Sequence, residues 1–202
     1  MDFRQGPEIV DKLKEKGFVG LKAIRPAYPY DDERYFPYYE RAEKLNMPIV
    51  FHTGVISRAN RSMLSPGLST CSSNMRPGYA MGIASAFPDL TIVLAHLGVP
   101  WGEEAFCAAL SHSNIYLDLS GGQSEFKVRW LNEYLHRGVA EKLLLSVDAT
   151  YGRDQYHNDV LHMLNFWNDY FNIVLKRHEA YRHKDSIFRG TALSLIKKCL
   201  SN

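Results

Sequence analysis

Cysteine is scarce in this chain. Its 202 residues include three, Cys71, Cys107 and Cys199, and none of them forms a C-x-x-C pair. An odd, scattered set excludes a disulfide framework, and it fits a reducing cytoplasm. An excess of either charge is missing too. Lys and Arg number 24 against 22 Asp and Glu, a net charge of +2. That balance argues against nucleic acid or a membrane surface as partner. No apolar run approaches the roughly 18 residues of a membrane span. The opening MDFRQGPEIVDKLKEKG is charged and helical in pattern, unlike a signal peptide. There is no GxGxxG after a strand, no Walker loop, no GxSxG elbow and no HExxH. Nucleotide cofactors and serine-hydrolase chemistry lose ground accordingly.

What is present reads as one domain, 1–202. Hydrophobic residues make up 46% and charged residues 23%, enough for a sizeable core. Five apolar runs recur: GFVGLKAI (17–24), PIVFH (48–52), LTIVLAH (90–96), NIYLDLS (114–120) and KLLLSVDA (142–149). Each is nearly continuous rather than alternating, as in parallel strands covered on both faces. Amphipathic segments lie between them. ERYFPYYERAEKLN predicts a helix beginning near Pro37, and MRPGYAMGIASAFPD one opened by Pro77 and stopped by Pro88. WGEEAFCAALSHS and SEFKVRWLNEYLHRG follow, the latter closed by Gly138. After the fifth run only helical patterns remain. This alternation predicts βαβ units and a parallel sheet. The Ser/Asn/Gly/Pro-rich stretch 53–75 reads as a long loop over the strand-end rim.

The strands end on polar residues. Lys22 lies near the end of the first run, and His52, His96, Ser120 and Asp148 lie at or near the ends of the others. Both histidines sit in an H-x-G context. In parallel α/β folds these ends converge on the site. Two imidazoles and a carboxylate make a divalent-metal set or an acid–base set; hydrogen-bonded structural histidines are the competing reading. Lys22 reads as a buried cation or, if carbamylated, a metal bridge. Ser120 before Gly121 and Gly122 is also compatible with plain turn chemistry. Asp118, inside a strand, is expected to pair with a neighbour. His157 follows the last strand closely. The other histidines lie on helices or loops and read as solvated.

GFVGLKAIRP, YYERAEKLNMPIVFHTG, FPDLTIVLAHLG, NIYLDLSG and KLLLSVDA, in this order, resemble the metal-dependent amidohydrolase superfamily. The branch is the one with aminocarboxymuconate-semialdehyde decarboxylase, resorcylate-type decarboxylases and pyrone-dicarboxylate lactonase. IFRGTALSLI is similar to that branch's closing helix, with Thr191 where Asn is usual. The resemblance implies an α/β fold, a partial TIM-type (β/α)8 barrel of about the last five strands. It implies His52, His96 and Asp148 as metal-site residues, His96 and Asp148 also as catalytic groups, and Ser120 as a substrate contact; Lys22, near the end of the first run, is taken as a further substrate contact. The implied cofactor is a divalent metal, zinc or alternatively manganese. The implied chemistry is hydrolysis of a small carboxylic or cyclic substrate by metal-activated water, or metal-assisted decarboxylation. The family's first-strand His-x-His pair has no counterpart here, so the first three or so strands are expected to be absent. A catalytically incomplete chain serving binding or assembly is the alternative. GFVGLKAI and KLLLSVDA would then leave open sheet edges, and a symmetric homodimer is the expected cover.

Overall fold

Each of the five apolar runs forms a strand in the computed structural model, which describes residues 1–56, 71–122, 124–148 and 154–200, with side chains from residue 160 in the last span. The strands are β1 (Leu21–Ala23), β2 (Ile49–His52), β3 (Ile92–Ala95), β4 (Ile115–Asp118) and β5 (Leu143–Leu144). They pair in chain order, and every pair is parallel. The expected open five-stranded parallel array is borne out.

Register explains the two faces of the sheet. Leu21, Ile49, Ile92 and Ile115 stand side by side, and so do Ala23, Phe51, Leu94, Leu117 and Leu143. All of these are buried. Phe51 packs edge-on against Tyr39, so this face meets the helices. The alternate residues Lys22, Val50, His52, Val93, Tyr116 and Asp118 share the opposite face by the period-2 rule. That face is only partly covered: Lys22 is exposed, and Val50, His52 and Tyr116 are half-buried. The expectation of strands covered on both faces therefore holds for β3, all four of whose residues are buried, and is corrected for β1 and β2. The helix-packed face is buried throughout, and the other face is left to the site.

The helices are α1 (Ile9–Glu15), α2 (Phe36–Lys44), α3 (Tyr79–Ala86), α4 (Gly102–Ser111), α5 (Ser124–Tyr134), α6 (Asp154–Asp169) and α7 (Thr191–Leu200). Pro37 lies in the first turn of α2, where its missing N–H costs nothing. Gly138 ends the turn after α5 at φ 88°. Tyr38, Tyr39 and Ala42 of α2 are buried, as are Ala80, Ile83 and Ala84 of α3.

Both sheet edges are met by the chain itself. The Met1 ammonium donates to the Lys22 carbonyl at 2.7 Å. Leu145 N–H donates to the carbonyl of Ile187 at 2.9 Å, in the π-helical turn Ser186–Gly190 just before α7. This diverts the fifth run after two paired residues. The rim loop read at 53–75 is described only at its ends, since 57–70 lie outside the described residues, as does the side chain of His157. Among the described residues, no helix is long and apolar enough to cross a membrane.

Candidate active site at the strand ends

His52 is the last residue of β2, and His96 follows β3 directly. The H-x-G repeat has a local cause in each case. Gly54 and Gly98 take φ of 94° and 64°, a region L side chains rarely enter. A Cβ at Gly54 would lie 2.3 Å from the Val99 carbonyl oxygen. So the turn after His52 packs directly on the turn after His96. Buried Thr53 joins them further, its hydroxyl donating to the Ala95 carbonyl at 2.6 Å. The Tyr30 hydroxyl lies 3.1 Å from the Ala23 carbonyl and 3.0 Å from that of His52, pinning the segment after β1 to the same rim.

The structure brings the two histidines together. His96 Nε2 lies 3.1 Å from His52 Nδ1, with ring centroids 4.6 Å apart. Both rings hold their neutral form at pH 7. Burial pushes His52 down to about 4, and the neighbouring His96 and Lys22 add to the shift. Burial lowers His96 as well, helped by Lys22 and opposed by Asp118 and Asp148. His52 Nε2 is buried with no hydrogen-bond partner.

Ser120 stands behind His96. Its hydroxyl is 2.8 Å and its carbonyl oxygen 3.2 Å from His96 Nδ1. Ser120 is buried, and its hydroxyl donates to Asp118 at 2.9 Å. It reaches a substrate only by giving up one of these partners. Gly121, at φ 78°, lies so close that a Cβ there would sit 2.9 Å from His96 Nδ1. Asp148 is placed differently. Its carboxylate is 3.9 Å from His96 Nε2, beyond hydrogen-bond reach, and its side chain is 59% exposed. Lys22 faces the same side. Partial desolvation of its ammonium by the surrounding rim lowers its pKa, while Asp118 and Asp148 pull it back up.

Two residues behind the site escaped the sequence reading as functional groups. Asp118 pairs with neighbours, as expected, but those neighbours are Ser120 N–H, the Ser120 hydroxyl and the Ser146 hydroxyl. Lys127 of α5 is fully buried. Its ammonium donates to the carbonyls of Leu119, Ser120 and Gly121 at 3.2, 2.5 and 2.6 Å, using all three protons. Desolvation brings it down to about 8, against the pull of Asp118, Asp148 and Glu125, so it stays charged at neutral pH. Its signal was in the sequence: Lys127, Trp130, Leu131 and Tyr134 fall at i, i+3, i+4 and i+7, the spacing of a buried helix stripe.

The donor chemistry suits a divalent ion. Two neutral imidazole nitrogens 3.1 Å apart subtend about 100° at an ion ~2.05 Å from each. In number the set is a half-site. Among the described residues, no group of three or more His, Cys, Asp or Glu converges tightly enough to hold an ion.

A model of the amidohydrolase family matches residues 7–196. No curated protein matches the chain. Solved structures do. An uncharacterized TIM-barrel protein from Bordetella bronchiseptica aligns with TM-score 0.68 at 18% identity, over 98% of this chain and 64% of that one. A 2,6-dihydroxybenzoate decarboxylase from Rhizobium aligns with TM-score 0.65 at 19% identity, over 100% and 69%. A probable 2-pyrone-4,6-dicarboxylic acid hydrolase from Acinetobacter baumannii, with citric acid bound, aligns with TM-score 0.60 at 14% identity, over 98% and 71%. The chain thus spans 64% to 71% of the length of these barrels. At such identities the likeness establishes the fold, a partial TIM-type barrel.

Proposed function

From the premise that the chain belongs to the amidohydrolase family, we propose that it carries the strand-end half of a divalent-metal hydrolase acting on a small carboxylic or cyclic substrate. The observation that carries this reading is the His52–His96 pair, two neutral rings with facing nitrogens 3.1 Å apart at neighbouring strand ends. His52 and His96 would hold the ion. Bound zinc, or alternatively manganese, supplies Lewis acidity and a water made more acidic by coordination. The chain's own residues do the rest. Lys22, cationic and on the same face, attracts and orients a substrate carboxylate. Ser120 holds His96 from behind at Nδ1, which aims Nε2 into the site. Asp148, 3.9 Å from His96 Nε2, would move in and take up at its carboxylate the proton given up by the attacking water.

Decarboxylation of the same class of acid is the second reading. The alignment of a 2,6-dihydroxybenzoate decarboxylase over 100% of this chain supports it; the carbon that loses carbon dioxide must take up a proton, and Asp148 would deliver it. Metal content after equilibration with zinc or manganese tests the shared premise. The wild type is expected to retain metal, and His52→Ala to retain at least tenfold less. Equal content in both removes His52 from the ligand set. Product analysis with small aromatic acids and lactones separates the two reactions: released carbon dioxide supports the second, an opened ester or lactone the first.

A further inference from the structure

A histidine that offers one nitrogen to an ion or a substrate must keep that nitrogen unprotonated. Which nitrogen carries the proton is set by what the other one meets. At His96 the surroundings of Nδ1 leave one solution. The Ser120 carbonyl oxygen, 3.2 Å away, only accepts. The Ser120 hydroxyl, 2.8 Å away, donates its proton to the Asp118 carboxylate at 2.9 Å, so it presents a lone pair to the ring. Two acceptors face Nδ1, and no donor does. Nδ1 therefore carries the hydrogen, and the Nε2 lone pair is turned toward His52.

We propose that Asp118 is a positioning residue that, through the Ser120 hydroxyl, locks His96 in its Nδ1–H form and so keeps Nε2 free at the site. Asp118 is suited to this because its own orientation is over-determined. Ser120 N–H and the Ser146 hydroxyl bind one oxygen, and the Ser120 hydroxyl binds the other. Lys127 holds the second acceptor in place. It clamps the Ser120 carbonyl from the side of α5, together with the carbonyls of Leu119 and Gly121. Gly121 lets the backbone pass within contact of the ring. In the metal-free chain His52 then donates its Nδ1–H to Nε2 of His96, and an ion held between these two nitrogens would take the place of that proton, which would move to His52 Nε2. The inference rests on the proposed function only for the use to which the free nitrogen is put.

The test reads the tautomer directly, in the metal-free full chain labelled with nitrogen-15. Long-range proton–nitrogen spectra at neutral pH distinguish a protonated from a bare ring nitrogen. The wild type is expected to show His96 almost wholly as Nδ1–H. In Asp118→Asn, the new amide donates to the Ser120 oxygen and frees the hydroxyl proton to point at the ring. The Nε2–H form then becomes populated, to a third or more of the molecules. Ser120→Ala, which removes a hydroxyl and leaves the backbone alone, should give a mixture too, and it decides the matter if Asp118→Asn does not fold. Ser146→Ala removes a donor to Asp118 that never touches the ring, and should leave the tautomer as it is. A wild-type His96 protonated on Nε2, or an unchanged Nδ1–H form in the folded Asp118 and Ser120 variants, overturns the proposal. A locked tautomer in a protein that retains no metal would overturn the proposed function and leave this inference standing.

Discussion

β3 and β5 end in residues expected to act together, yet they hold them very differently. β3 has a strand on each side and four buried residues in a row. His96 leaves it with both ring nitrogens engaged, by Ser120 on one side and His52 on the other. β5 has one partner and two residues, and its next N–H goes to the turn before α7. Asp148, four residues beyond, is mostly exposed and in contact with none of the site's nitrogens. Both residues adopt left-handed backbone, with φ of 66° and 55°. Unusual backbone alone therefore does not make a site rigid. Precision at a strand end is inherited from pairing behind it and from acceptors and donors around it. Where the ladder stops early, the side chain is left to solvent.

This contrast is sharpest in stability. Leu94 of β3 packs on the helical face with no exposure, while Leu144 of β5 lies on the opposite face. Leu94→Ala is expected to cost about 3–5 kcal/mol, and Leu144→Ala to cost less by about 2 kcal/mol, because a site beside a short edge strand collapses more readily. Denaturant midpoints measure both. Equal losses would break the comparison and make β5 as well supported as β3.

A smaller effect separates the regions by pH. His52 is neutral in the folded chain down to about 4, against an ordinary value of 6.5. Between those values the unfolded chain binds more protons, so acid favours unfolding. The stability associated with the buried neutral ring is fully present above 6.5 and drains away as pH falls toward 4. Replacing His52 with Asn should flatten the denaturation profile in that window. A profile unchanged by the substitution would show that the ring is solvated in the folded state.

The smallest expected effect is at Asp148. An exposed carboxylate with no hydrogen-bond partner among the described residues contributes little, so Asp148→Asn, which keeps a side chain that tolerates the left-handed backbone at φ 55°, should change stability by no more than about 0.5 kcal/mol. A loss of several times that size would place Asp148 in a held arrangement like that of His96.

Much of the architecture was legible because its causes are local. Apolar runs of the right length, separated by helical stripes, prescribe parallel strands, and all five appear in order. The two H-x-G turns were visible because each glycine takes a left-handed backbone where a Cβ would collide, with the Val99 carbonyl at Gly54 and with the Pro77 ring at Gly98. Lys127 was readable in principle, as a lysine on a buried stripe, but a charge inside a helix ordinarily faces water. Nothing local says that three strand-end carbonyls wait for it.

By itself the sequence determined the strand order, the placement of the histidines at strand ends and the family likeness, because these depend on periodicity and on residues close in the chain. Only the tertiary structure decided which strand ends share a site. It brought His52 and His96 within 3.1 Å, turned Ser120 inward to Asp118 and left Asp148 3.9 Å from His96. Those outcomes depend on where β5 stops pairing and on which carbonyls Lys127 reaches. Both are settled by packing between segments far apart in the chain, where no local pattern records the result.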